Sequence, residues 1–347
     1  MNVSELVKEY DPENQFSVLK NSFEQIEFVK NNIIDLSSVN ISKISNVVIT
    51  GLGGSAIGGD LFKNFASNDF PLPIIVNRNY SLPKFINEST LVIISSYSGN
   101  TEETIAALEE AYKKCTYIIC LTTGGKIEQF ATEKKLNVVK LKKGYQPRFA
   151  LFSNVFTLIK VFGIIGLIPK QDEFIDSAIK LFKQRGESLS ADDNSALKKA
   201  EKLLGFIPLI YAVEGFNEAA GLRLKGEFNE NSKLLAYYNV FPELNHNEIV
   251  GWETFNPSQF NAKVILLNDV DYQDRIKKRI DVTSELIRKT GAEIITISSN
   301  LNTFKERLFD IVYFGDWVSY YLALLRKKDP SEIDNIYYLK DQLSKYL

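Results

Sequence analysis

Two short segments in the first third of the chain combine glycine with hydroxyl side chains in a way that suits an anion. In the first, the β-branched run Asn46–Thr50 (NVVIT) leads into GLGGSAIGG, Gly51–Gly59, and a helix is expected to begin at Ser55 or Ala56. Glycines such as Gly53 and Gly54 at such a turn allow positive φ and close approach of a ligand to the backbone. The helix N-terminus supplies unpaired N–H groups and the positive end of the helix dipole, and Ser55 adds a hydroxyl. The second segment repeats the logic. LVIIS, Leu91–Ser95, runs into SYSGNT, and a helix is expected over Thr101–Lys113. Ser96, Ser98 and Thr101 place three hydroxyls around one turn. Asn100 is the expected N-cap, with Glu103 three residues on in a capping-box arrangement. Phosphate is the anion that such cradles hold. Glu102 and Glu103 run against this unless they point away. Either loop alone could be a plain turn. Gly51–Ala56 also fits G-x-G-x-x-A, but the acidic residue that a dinucleotide site needs at the end of the next strand is replaced by Val76-Asn77-Arg78, and no Walker lysine follows the glycines.

Acid–base candidates lie further along. The chain has one histidine, His246, in the polar stretch PELNHNEIVGWE. That setting reads as a loop, where an imidazole can transfer protons near neutral pH. Glu230 stands sixteen residues earlier, in EFNENSK, at the end of a helix starting near Asn217. It is either a general base or a solvated helix end. Arg148, in YQPRFAL, precedes a very apolar helix and is either a surface charge or an anion ligand. Lys340, in NIYYLKDQL, sits on the last expected helix, where a solvated lysine is the ordinary outcome.

The elements that must position these groups alternate. Strand-like runs at Asn46–Thr50, Ile74–Val76, Leu91–Ser95, Tyr117–Leu121 and Val138–Leu141 are separated by helical segments. A second series follows at Ile207–Val213, Leu234–Tyr238, Val264–Leu267 and Glu293–Ser298, with helices at Arg275–Thr290 and Phe314–Arg326. This pitch predicts βαβ units and parallel sheets, hence an α/β fold with two α/β units. The organisation expected is N-terminal helices over 1–40, a first domain over 41–150, bridging helices over 151–204 (Phe149–Leu167 and Asp172–Leu204), and a second domain over 205–347 ending in a helix from Pro330.

Composition narrows the class. The 347 residues are 45% hydrophobic and 24% charged, with a net charge of −2. These values fit a globular protein and argue against a duplex nucleic-acid binder. No signal peptide is read at the N-terminus. The apolar stretch Phe149–Pro169 is interrupted by Asn154 and Lys160, which predicts a buried helix rather than a membrane span, so a cytoplasmic protein is expected. Cys115 and Cys120 flank the run YIIC; read as one strand, they face opposite sides and stay as free thiols.

GLGGSAIGG and SSYSGNTEET together resemble the sugar isomerase (SIS) domain. FNENSK, PELNHNEIVGWE, QPRFA and the C-terminal YLK are similar to motifs of the bifunctional phosphoglucose/phosphomannose isomerase family, over about Asn46 to Lys340. The resemblance implies two SIS domains, each with a five-stranded parallel sheet. It implies phosphate binding by Ser55, Ser96, Ser98 and Thr101, with Gly53 and Gly54 in the turn. It assigns Glu230 as the base, His246 and Lys340 to ring opening, and Arg148 to the reacting carbons. The implied substrate is a hexose 6-phosphate and the implied reaction aldose–ketose isomerisation, with no metal or cofactor. The implied assembly is a homodimer in which His246 reaches the neighbouring subunit's site. The family's tolerance of both epimers is linked to a threonine near the C-terminal lysine; between Pro330 and Leu347 this chain has Ser331 and Ser344 but no threonine. A sugar-phosphate sensor and an amino-sugar phosphate isomerase are the alternatives. The sensor needs the cradles but not the four later residues together.

Overall fold

The computed structural model describes residues 3–346. The chain divides into two compact units. One is Asn21–Gln184; the other joins the residues up to Lys20 to those from Arg185 onward. In the second unit the chain opens with α1 (Val3–Tyr10) and α2 (Gln15–Lys20), while α3 (Phe23–Asn31) belongs to the first.

The first unit is built on β1 (Asn46–Thr50), α4 (Gly54–Phe65), β2 (Ile74–Asn77), β3 (Thr90–Ser95), α5 (Glu102–Lys114), β4 (Tyr117–Thr122), α6 (Gly125–Glu133), β5 (Asn137–Lys140) and α7 (Leu151–Ile164). Its five strands are all parallel in the order β2-β1-β3-β4-β5. Every residue of β3 and β4 is buried. That is why these strands are uninterrupted apolar runs rather than alternating ones: both faces of a parallel sheet are covered. The order turns back on itself between β1 and β3, so a crevice opens at their carboxyl ends.

The apolar stretch after Gly144 is indeed a buried helix. Asn154 and Lys160, the two residues that break its apolar run, are both used. Lys160 Nζ donates to the carbonyls of Val29, Lys30 and Asn32 at 2.8, 2.8 and 2.7 Å, closing the end of α3. Phe162 stacks on Phe62 of α4 with ring centroids 4.4 Å apart. The span Pro147–Ile164 is 83% buried, as a core helix should be.

The helices expected to bridge are shared between the units. α7 packs on α4 in the first; α8 (Asp172–Leu189) contains the boundary; α9 (Ser195–Leu203) packs on α13 (Phe304–Leu325) in the second. Asp172–Leu204 is therefore not one helix. Asn194 interrupts it by accepting a hydrogen bond from the backbone of Leu197 at 2.8 Å, as an N-cap.

The second unit continues with β6 (Ile207–Val213), α10 (Glu218–Glu230), β7 (Tyr237–Phe241), a short turn of helix α11 (Glu248–Gly251), β8 (Ala262–Asn268), α12 (Asp274–Lys289), β9 (Ile294–Ser298), then α13 and α14 (Asp334–Ser344). Its sheet is parallel with order β7-β6-β8-β9. It has four strands where the resemblance implied five. After β9 the chain goes into the 22-residue α13, and the segment beyond, RKKDPS, is too polar to form a buried strand. β7 starts three residues later than expected. Leu234, expected within it, is spent on the preceding helix: its N–H bonds Phe228 O at 3.1 Å and its carbonyl accepts from Asn229 Nδ2 at 2.8 Å. α13 starts ten residues before the expected Phe314, at a capping box formed by Thr303 and Glu306. Cys115 lies at the C-cap of α5, outside β4, so only Cys120 belongs to the strand. Both thiols are free, and burial pushes them up to about 11 and about 12.

Candidate active site

The two hydroxyl-rich turns follow β1 and β3, the pair at which the first sheet switches direction. Gly53 is the residue before α4, with φ 52° and ψ −128°, a conformation that excludes ordinary side chains although nothing lies within 4 Å of where a Cβ would stand. Gly51 and Gly54 are limited by space instead. A Cβ on Gly51 would lie 2.6 Å from the carbonyl oxygen of Ser95, and one on Gly54 would lie 2.9 Å from that of Pro147. The first cradle thus rests directly against the second and against the turn that carries Arg148. Asn154 joins the same group from α7: its Nδ2 donates to Ser95 Oγ at 2.7 Å, and its Oδ1 would be 2.0 Å from a Cβ on Gly58.

Within the second cradle Ser96 is buried. Its hydroxyl lies 2.9 Å from Thr101 Oγ1 and accepts from the N–H of Gly99 at 3.2 Å. Ser98 is exposed, and its Oγ accepts from the N–H of Asn100 at 3.2 Å. The N-cap of α5 is Thr101 rather than Asn100, and no capping box forms. Asn100 is used elsewhere, accepting from the backbone of Lys126 at 3.1 Å. Glu102 is exposed and Glu103 half-buried, and both lie near the Tyr80 phenol, which partial burial and then their charges raise.

A third loop, Thr122–Gly125, escaped the sequence reading although TTGG was a visible signal. It braces the second cradle. Thr123 donates to the Tyr97 carbonyl through both its N–H (3.0 Å) and its hydroxyl (2.7 Å), and Gly99 and Gly125, both at positive φ, pass too closely to admit side chains. Arg148 is buried, 4% exposed, in a single turn, Pro147–Ala150, rather than on the surface. Gln25 of α3 latches that turn, donating to Phe149 O at 2.7 Å and accepting from Ser153 N–H at 2.9 Å.

Ser55, Ser96, Ser98, Thr101, Gly53, Gly54 and Arg148 all belong to the first unit; Glu230, His246 and Lys340 belong to the second. Glu230 is the last residue of α10 and is half-buried. The turn below it is fixed by fully buried charges. Arg223 lies 2.5 Å from Glu227 Oε1 and donates to both oxygens of Asp316, at 3.1 and 3.3 Å. Asn231 donates to Glu227 Oε2 at 2.7 Å and to Ser319 Oγ at 3.0 Å. Lys233, itself at positive φ, donates to the carbonyls of Glu230 (2.9 Å) and Asn231 (3.3 Å). Glu230 adds to the charges of Asp316 and Glu227 that hold Arg223 protonated against its burial. His246 ends a single helical turn, Glu243–His246, and is exposed. Lys340 is exposed on α14, on the stripe that also presents Ile336, Leu339 and Leu343.

Among the described residues, no glycine cluster like Gly51–Gly54 follows a strand of the second sheet. Directly after β8, Asp269 takes a two-pronged hydrogen bond from Arg307 at 2.8 and 2.9 Å, and Arg307 also meets Asp271 and the carbonyls of Leu301 and Asn302. That guanidinium is satisfied by the chain's own groups.

Known proteins fit this arrangement. Residues 192–343 match the family model described as the bacterial phospho-glucose isomerase C-terminal SIS domain. The chain is 41% identical over 313 residues to the bifunctional phosphoglucose/phosphomannose isomerase of Caldicellulosiruptor bescii, covering 88% of this chain and 92% of that one. With the enzyme of the same description from Aquifex aeolicus it shares 34% over 308 residues, again 88% and 92%. Among solved structures, a hypothetical protein of Thermus thermophilus superposes with TM-score 0.74 at 15% identity over 99% of this chain and 93% of its own. A glucose-6-phosphate isomerase from Chlamydia trachomatis gives 0.68 at 13% identity over 93% and 72%. Parallel sheets flanked by helices, with hydroxyl-rich turns at a switch point, define the class: a protein of the SIS fold. The sequence relatives define the member. The chain belongs to the bifunctional phosphoglucose/phosphomannose isomerase family, and it is an isomerase.

Proposed function

We propose that this chain interconverts glucose 6-phosphate, and mannose 6-phosphate, with fructose 6-phosphate through a cis-enediolate. The phosphate is held by Ser55, Ser96, Ser98 and Thr101, with the backbone at Gly53 and Gly54. It lies away from the reacting carbons, so its role is orientation. His246 and Lys340 open the ring, moving a proton to the ring oxygen while O1 loses one. Glu230 takes the proton from C2 of the open aldose and returns it to C1, and the hydroxyl proton passes from O2 to O1. Arg148 balances the negative charge of the enediolate. A planar C2 has no memory of its epimer, which lets one site serve both aldoses. The working assembly is a cytoplasmic homodimer in which His246 acts in the partner's site. Its exposure in the single chain, and that of Lys340 within an apolar stripe, support this reading.

The observation that carries the proposal is Glu230. It is a half-buried carboxylate at a helix end whose preceding turn is locked by groups at most 5% exposed. A general base needs that combination of fixed position and access. The test is a coupled assay with glucose 6-phosphate, mannose 6-phosphate and glucosamine 6-phosphate. The third substrate is included because a D-glucosamine-6-phosphate 4-epimerase of Sulfolobus acidocaldarius is 30% identical over 234 residues. Glucose 6-phosphate and mannose 6-phosphate should both be turned over, with glucosamine 6-phosphate unchanged. Glu230→Gln should lower kcat by about 10²–10⁴-fold; wild-type turnover of fructose 6-phosphate in this variant would remove Glu230 as the base.

A further inference from the structure

The segment around His246 contains polar and aromatic residues that the proposed chemistry leaves unused, and Asn245, Glu248 and Trp252 among them are bonded to the sheet and its helix. Between Pro242 and Phe255 the chain makes only single turns: Glu243–His246, Glu248–Gly251 and Trp252–Thr254. None is long enough to hold its own shape. The segment is tied to the sheet instead. Glu248 accepts hydrogen bonds from the Tyr211 hydroxyl of β6 and, at 2.6 Å, from Asn239 Nδ2 of β7. Trp252 Nε1 donates to the same Tyr211 oxygen at 3.0 Å. On the other side of the histidine, Asn245 donates to Thr283 Oγ1 of α12 at 2.8 Å, and Leu244 is buried in the apolar cluster of this sheet. His246 is thus an exposed residue between two anchored ones.

We propose that Tyr211, Glu248 and Trp252 form a tether that fixes His246, with Tyr211 at its centre as a positioning residue for the histidine. Tyr211 is 2% exposed and both donates and accepts in the tether. Its burial, and then the charge of Glu248, raise the phenol, so it stays a donor at any working pH. Glu248 takes its two hydrogen bonds from two different strands. Losing the phenol oxygen takes one donor from the carboxylate and leaves the indole N–H, in a residue 5% exposed, without its acceptor. The segment should then move, and the imidazole with it. This inference rests on the catalytic reading of His246 for its consequence, but not for its test.

His246 is the chain's only histidine, so one imidazole signal in a histidine-labelled sample reports on it directly. Tyr211→Phe should shift that signal toward the values of an unfolded peptide and narrow it through added motion. A core variant of matched thermal stability, Ile265→Val, should leave it in place. The kcat/KM for cyclic glucose 6-phosphate should fall by about 10–100-fold, with inhibition by inorganic phosphate unaltered. If Tyr211→Phe does not fold, Trp252→Phe removes the indole donor and keeps a smaller aromatic ring in its place. An imidazole unchanged in every variant that folds overturns the tether whatever turnover does. A changed imidazole with unaltered turnover supports the tether and removes His246 from the chemistry.

Discussion

Two glycines of one motif show how differently a residue can be required. Gly53 stands in open space and is fixed by its dihedral angles alone. Gly58 sits inside a helix, where its conformation is ordinary, and is fixed by Asn154 Oδ1, 2.0 Å from where a Cβ would be. The two should therefore respond differently to a change elsewhere. Gly58→Ala should destabilise the chain by about 1–3 kcal/mol in urea unfolding, the usual cost of overfilling a packed site. In the double variant Gly58→Ala/Asn154→Ala much of that loss should be recovered, a coupling between touching residues. Gly53→Ala should gain nothing from the same partner, because its cost lies in its own backbone. If the Gly58 and Asn154 losses simply add, the contact is not what keeps this position glycine. Asn154 also bonds Ser95, so holding α4 and holding β3 are one function of one side chain.

At the scale of an element, α10 and α13 share a buried charge imbalance. Arg223 faces two carboxylates, Glu227 and Asp316, all three at most 5% exposed. One guanidinium cannot neutralise both, and burial raises the Asp316 carboxyl above its ordinary range even with Arg223 beside it. A carboxyl raised by folding keeps its proton longer in the folded state than in the unfolded one. Its contribution to stability is therefore complete below the ordinary aspartate range and is lost as pH rises through the raised value. Asp316→Asn should flatten that decline above the ordinary aspartate range by up to about 1.4 kcal/mol per pH unit, read from urea midpoints at each pH. An unchanged slope would show that Asp316 is ionised throughout. Little of this was legible in the sequence. The cradles could be read because glycine clusters between a β-branched run and a helix have few backbone solutions. Glu230, His246, Arg148 and Lys340 could be singled out by type and setting, but the groups that fix the turns carrying the first three are scattered across Gln25, Tyr211, Thr283 and Asp316. α13 was read too short because Arg307 through Leu324 are all buried, and a helix covered on every side loses the period that marks its extent. The start of β7 was misread because Leu234 belongs to the closure of α10, a hydrogen-bonding commitment that hydropathy does not carry.

At the scale of the whole molecule the question is how many chains one active site needs. His246 is exposed, and the stripe of α14 that carries Lys340 is exposed with it. Large apolar side chains such as Tyr337, Tyr338 and Tyr346 on and beside that helix are 59%, 68% and 85% exposed. A closed two-fold dimer would cover such surface and would present each histidine to the other chain. Mixing two dead variants tests this directly. Glu230→Gln lacks the base and His246→Ala lacks the ring-opening group, so each homodimer should be inactive on glucose 6-phosphate. If the histidine acts in trans, a hybrid dimer rebuilds one complete site: Glu230 from one chain, His246 from the other. Equal mixing with free exchange makes half the dimers hybrid, with one of two sites intact, so about a quarter of wild-type activity should return. Brief mild denaturation before mixing should speed the recovery, because exchange needs dissociation. If the histidine acts in cis, every site in every dimer keeps one defect and nothing returns. The assay needs no knowledge of the interface, and a recovery well above a quarter would mean that one of the two variants was not dead alone.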